Sequence, residues 1–175
     1  MALSVWPAPS AEETAVRNAT LAFVEKHVAP TTDSDDAEGL FRREIFDRLG
    51  PLGLHSLTYP KEWGGKEGSY YAYYGFLEEL GRGSLALSVA VGVTNLLQGA
   101  LMAFGTQEQK EKFLRPLTAG KYLGAFSLSE PQSGSDAAAL RLAATPAPGG
   151  YVLNGAKCWC SNAGFADLYL VIART

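Results

Sequence analysis

Sulfur and imidazole are scarce in this chain, which holds only 2 cysteines, 2 histidines and 2 methionines in 175 residues. A metal site needs more ligands than Cys158, Cys160 and the distant His27 and His55 supply. The two cysteines stand two positions apart, on one face of any strand, and cannot close a relaxed disulfide with each other. Reduced thiols in a cytoplasmic protein are therefore expected. No basic run occurs: 15 Lys and Arg are scattered among 18 Asp and Glu, for a net charge of −3, which argues against a nucleic-acid partner. The opening MALSVWPAPS has neither a basic residue nor a long apolar run, so it reads as neither a secretory signal nor an Arg-rich transit peptide. Repeats and low-complexity tracts are absent as well.

Apolar residues are plentiful, at 47% of the chain, enough to bury a core. From Ser84 to Gln107 there is no charge, and LALSVAVGVTNLLQGALMAFG approaches the length of a membrane span. Ser88, Thr94, Asn95 and Gln98 interrupt it and soluble helices flank it, so the expectation is no membrane and a core helix buried all round.

Everything up to Gly120 reads as helix. Ser10 and Glu13 have capping-box spacing, and Val16, Ala19, Phe23 and His27 then share a face until Pro30. A second helix is predicted over 37–49, with Phe41, Ile45 and Leu49 at four-residue spacing and Gly50-Pro51 as its stop. A third runs from Tyr70 to about Gly81. After the long apolar helix, Thr106 and Gln109 form another capping box ahead of a short exposed helix.

Beyond Lys121 the texture changes. GAFSLSE, RLAATPAP and ADLYLVIART read as strands, and YVLNGAKCWCSN as two short strands joined at Asn154-Gly155, a strong hairpin signal. Between the first two lies LSEPQSGSDAAAL, whose Gly134-Ser135 pair suits a sharply turning backbone that offers bare N–H groups to an anion. A phosphate-bearing ligand is implied. Taken singly, Ser129 and Ser135 suit ordinary turns, Trp159 a core, and Glu130 and Asp136 a role as loop-fixing acceptors for backbone N–H groups.

Taken together, FSLSEPQSGSDAAAL and YVLNGAKCWCSNAGFADLYLV resemble the two signatures of the acyl-CoA dehydrogenases, and LEELGRGSLALSV and AFGTQEQKEKFLRPLTAGKYLG follow the same family order. The resemblance implies an α+β fold. An all-α domain over 1–120 precedes the beginning of an antiparallel β-barrel-like domain over 121–175, and the family's C-terminal four-helix domain is missing. It also implies FAD as cofactor, an acyl-CoA thioester as substrate, electron-transfer flavoprotein as acceptor, a homo-oligomer (dimer or tetramer) and a place in fatty acid metabolism.

Carried across, Phe126, Leu128 and Ser129 line the flavin, Gly134 and Ser135 meet its pyrophosphate or the thioester, Trp159 covers the ring with Cys160 beside it, and Ser161 bonds near the reactive nitrogen. Leu96, Leu97 and Leu101 are candidates for the acyl pocket. The family's catalytic base, a glutamate of the C-terminal domain, falls outside these residues. Gln132-Ser133 replaces the family's usual Gly-Ala, and Cys160 an aliphatic residue. Acyl-CoA oxidases and nitroalkane oxidases share the architecture, and a non-catalytic flavin-binding or subunit-interaction module stands as the other class.

Overall fold

A computed structural model describes residues 8–175; the reading of the opening segment falls largely on residues 1–7, outside the described residues. Helix α1 (Ala11–Phe23) starts where Ser10 Oγ accepts from Glu13 N at 3.2 Å, and a π-helical turn, Val24–Val28, continues it to the Pro30 stop. The box there is half made, because the Glu13 carboxylate accepts from the Ser10 hydroxyl rather than from its N–H. Thr20, not Ala19, faces inward, its hydroxyl satisfied by Val16 O at 2.8 Å.

The single helix expected over 37–49 is two: α2 (Thr32–Glu38) and α3 (Arg43–Leu49). Gly39 ends the first in the left-handed region, at φ 65°, where Leu40 N reaches back to Asp35 O at 2.8 Å. Phe41, freed from a helix, stacks on Phe165 with ring centroids 5.1 Å apart.

Helix α4 (Tyr70–Gly83) is capped by Ser69, and α5 (Leu85–Phe104) by Ser84. Among the described residues α5 is the one helix long and apolar enough to cross a membrane. It is not buried all round, which corrects the expectation. Leu87, Ala90, Val91, Thr94, Leu97 and Gln98 face α4 and the first strand, whereas Leu85 and Phe104 are 73% and 88% exposed. The Thr106–Gln109 capping box is fully made and opens α6 (Gln107–Gln109), which runs through the turn Lys110–Leu114 into α7 (Arg115–Thr118).

Four strands follow: β1 (Gly124–Ser127), β2 (Ala143–Ala147), β3 (Gly150–Asn154) and β4 (Leu168–Val171). The hairpin is β2–β3, with Ala143 opposite Asn154 and its turn at Pro148-Gly149, so Asn154-Gly155 is not the turn. Asn154 instead ends β3, and residues 156–161 form no strand. The antiparallel expectation holds for β2–β3 but not for β1–β4, which run parallel with Gly124 opposite Leu168. The hairpin and the loop after it supply the crossover that a parallel pair requires.

Two contacts seat β1. Gly124 lies flush on α5: its N–H donates to Thr94 Oγ1 at 3.1 Å, and a Cβ there would stand 2.8 Å from Leu97 Cδ2. From the other side, Asp167 Oδ2 accepts from both Leu123 N and Arg43 Nη2 at 2.8 Å, and Arg43 also donates to Phe165 O at 3.0 Å.

His55 is 1% exposed in the helical half. Its Nε2 lies 3.2 Å from Leu117 O, which accepts also from Gln98 Nε2 at 3.1 Å. A carbonyl only accepts, so Nε2 carries the proton, and Nδ1 is left buried without a partner. Burial holds the imidazole below its usual pKa, despite the opposing bond to Leu117 O. The unfolded chain therefore takes up this proton first: the stability is present above the unfolded pKa of about 6.5 and is lost as pH falls through the lower folded value. Urea midpoints should fall below about pH 6.5, and His55→Gln should flatten that limb relative to wild type. Equal acid slopes in the two proteins would remove His55 as the cause.

Candidate functional site

Two segments run side by side on the β half. One is β1 with the turn after it, residues 124–135; the other is the irregular stretch 157–162. Four residues of the second join it to the first. Asn162 Nδ2 donates to Gly124 O at 2.7 Å and to Ala90 O of α5 at 3.1 Å. Ser127 Oγ lies 2.9 Å from Cys160 Sγ, and Cys158 N donates to Ser129 O at 2.9 Å. Lys157 Nζ donates to Leu128 O and to Glu130 Oε1, each at 2.8 Å.

The turn closes on itself. Glu130 N donates to Ser133 O at 2.8 Å and Ser133 N to Glu130 O at 3.0 Å, while Ser133 Oγ donates to Asp136 O at 2.6 Å. Gly134 and Ser135 then stand exposed, with their N–H groups donating to no other backbone group and open space where a Gly134 side chain would be. A backbone free to donate at an exposed glycine is the geometry an anion uses.

Glu130 has the loop-fixing role. Its two oxygens accept from Arg141 N at 2.6 Å, Leu142 N at 2.9 Å, Gln132 Nε2 at 2.6 Å and Lys157. The Lys157 ammonium, more than the backbone donors, holds this carboxyl down to about 2. It is therefore ionised across the working range and is no proton carrier near neutrality. Asp136 is exposed.

Trp159 is not core. It is 91% exposed and sits at φ 54°, a region that bulky side chains rarely occupy. Asn162, at φ 67°, tolerates that region more readily. A large indole held in solvent on a strained backbone points toward a use for the ring. Ser129, Ser161, Phe126, Leu128 and Cys160 are half-buried, and both cysteines are free.

The three leucines of α5 do not act together. Leu97 is 1% exposed behind Gly124, Leu96 is 47% exposed, and Leu101 is half-buried. Two cavities among the described residues lie away from these segments. The larger, about 450 Å³, lies between α2 and the start of α5, lined by Thr31, Asp35, Phe41, Arg42 and Leu85. The site is an open face, as it would be if a further layer covered it. Sequence reasoning missed Lys157 and Asn162. Lys157 had a readable signal: it is the only charged residue between Arg141 and Asp167. Asn162 had none, because both its partners are distant backbone carbonyls.

A helical half carrying a β unit with an exposed indole on one of its two joined segments defines an α+β class, and comparison with known proteins gives the family. Residues 10–121 match the acyl-CoA dehydrogenase N-terminal domain and residues 125–175 the acyl-CoA dehydrogenase middle domain. The chain belongs to the acyl-CoA dehydrogenase family. It is 40% identical over 166 residues to "Probable acyl-CoA dehydrogenase YngJ" of Bacillus subtilis, covering 94% of this chain and 43% of that protein. Among solved structures, butyryl-CoA dehydrogenase from Megasphaera elsdenii superposes with a TM-score of 0.90 at 34% identity, over 97% of this chain and 45% of the other. A FAD complex of PigA superposes with a TM-score of 0.87 at 26% identity, over 98% and 45%. The chain thus spans less than half the length of these relatives.

Asn162 joins three elements through one amide, and its loss takes a donor from Gly124 O and from Ala90 O, the latter keeping Thr94 Oγ1 at 2.9 Å. Asn162→Ala should cost about 1–3 kcal/mol, read as a lower denaturant midpoint at unchanged m-value. A change within about 0.5 kcal/mol, the range of ordinary surface substitutions, would show that the bridge is dispensable.

Proposed function

We propose that these residues form the flavin-facing half of an FAD-dependent oxidoreductase that dehydrogenates an acyl-CoA thioester between its α and β carbons. The observation that carries this reading is the exposed Trp159, held at positive φ beside a turn whose Gly134 and Ser135 amides are open. The residues present fit FAD: the indole offers a flat apolar cover for a ring system, and the turn offers donors to a pyrophosphate. The half-buried Ser129 and Ser161 offer hydroxyls suited to the polar edge of that ring, and the half-buried Phe126, Leu128 and Cys160 would line its floor. FAD, when bound, supplies the two-electron acceptor for the substrate's hydride.

The protein's own share is binding, orientation and the exclusion of water. Donors aimed at the electron-accepting end favour the negative charge that develops there. On α5, Leu96 and Leu101 keep exposed surface for an acyl chain, whereas Leu97 is committed to the core. Glu130 has its carboxylate filled by four donors and cannot serve as the base at the α carbon. The family resemblance assigns the base outside residues 1–175. Electron-transfer flavoprotein as acceptor, a homo-oligomeric state and a role in fatty acid metabolism rest on the resemblance, and a cytoplasmic location rests on the two unpaired cysteines; these complete the proposal.

Two measurements test it. Trp159→Ala in the intact protein should weaken FAD binding by roughly 2- to 12-fold, the worth of one aromatic contact, and shift the flavin absorbance. Full retention with an unchanged spectrum would detach Trp159 from the flavin. Purified residues 1–175 should not reduce an artificial electron acceptor with acyl-CoA, since the general base contributes about 10²–10⁴-fold by itself. Steady turnover would require a base among the carboxylates present.

A further inference from the structure

We infer that the Glu130–Lys157 ion pair is the positioning device of this site, setting the spacing between the segment that carries Ser129 and Ser135 and the segment that carries Trp159 and Ser161. The inference rests on the flavin reading above. It is carried by where the pair sits. Glu130 adjoins Ser129, and Lys157 adjoins Cys158, whose N–H is bonded to Ser129 O at 2.9 Å, so the charges meet at the joint between the two segments. Both are withdrawn from water: the side chains of Glu130 and Lys157 are 2% and 9% exposed, at 2.8 Å.

Lys157 does not simply neutralise a buried carboxylate. It donates at 2.8 Å to Leu128 O as well, so one ammonium holds the first segment by backbone and by side chain. Glu130 in turn carries the start of the next segment through Arg141 N and Leu142 N. A buried ion pair is seldom more stabilising than well-packed apolar residues of the same volume, whereas it fixes a distance and a direction that apolar contact leaves loose. Trp159 has need of such fixing. A positive φ at a bulky residue persists only when its neighbours over-determine it, and the residues around Trp159 do so: Lys157 through the ion pair, Cys158 through Ser129, Cys160 through Ser127. The carboxyl of Glu130, depressed to about 2, keeps its own charge at any pH the protein is expected to meet.

A positioning role acts through Trp159, while a merely structural role does not, and a double-mutant cycle separates the two. In the intact protein, Lys157→Met should weaken FAD binding roughly tenfold in titrations of the apoprotein, and Lys157→Gln, which can still donate to Leu128 O, by less. In a Trp159→Ala background, Lys157→Met should cause a smaller further loss than in wild type, since part of its effect runs through the ring. Additive losses, or wild-type affinity in a folded Lys157→Met protein, would overturn the inference. A readout that needs no flavin accompanies them. Hydrogen exchange at the Cys158 amide should quicken in Lys157→Met and Lys157→Gln while the β2–β3 hairpin amides keep their rates, and an unchanged Cys158 rate would also overturn it. Should wild type fail to bind FAD, the flavin reading falls, and the Cys158 exchange alone decides whether the pair sets the spacing.

Discussion

The seat of β1 on α5 is the contact from which the rest of the molecule is measured. No side chain intervenes: Gly124 presents bare backbone to the helix, Thr94 Oγ1 takes its N–H, and Asn162 spans from Gly124 O to Ala90 O. A Cβ at this point would drive into Leu97 and lift the strand away. The turn at Glu130–Ser133 begins three residues past the end of β1, so its place relative to the helical half follows from this one close approach. The second segment is referred to the same origin through Asn162.

The site is unusual in how it uses charge. One buried carboxylate gathers four donors from three stretches of chain, and only one of them, Lys157, is a cation. Such a hub is satisfied only in one arrangement, since any rearrangement leaves a charge buried without partners. The indole nearby is the opposite case, a large apolar group in solvent. Packing alone would have turned both inside out. The fold therefore spends its polar groups on geometry, and the exposed ring is supported by that geometry rather than by burial.

Signals that close within one turn of helix were legible in the sequence. The Thr106–Gln109 box, the Pro30 stop and the start of α4 at Tyr70 stand where spacing put them. Signals that compete were not. Phe41, Ile45 and Leu49 have helical spacing, yet Gly39 takes the left-handed conformation and the helix restarts at Arg43. Asn154-Gly155 is good turn chemistry, yet Pro148-Gly149 claims the hairpin first and leaves Gly155 to pass close under Leu142. The parallel pairing of β1 with β4 was hidden for a different reason, as strand direction depends on what lies between the strands rather than on either one. At the site, Ser129, Ser135, Trp159 and Ser161 were singled out through motif resemblance, whereas Asn162, which joins their segments, was passed over because its partners are remote backbone carbonyls, and Lys157 although it stands alone as a charge in its stretch.

That parallel pairing also orders events in time. Leu123 and Asp167, which lock the end of the β1–β4 ladder, are 44 residues apart in the chain, whereas β2 and β3 meet across a two-residue turn. The hairpin can close in about 1–10 μs, long before a loop that contains it brings its own ends together. On a ribosome adding about 5–20 residues per second, β1 waits for seconds without a strand partner while the rest of the loop is made. During that interval α5 is its available cover. A helix whose inner face accepts a strand with nothing in between thus shelters that strand until its partner is synthesised.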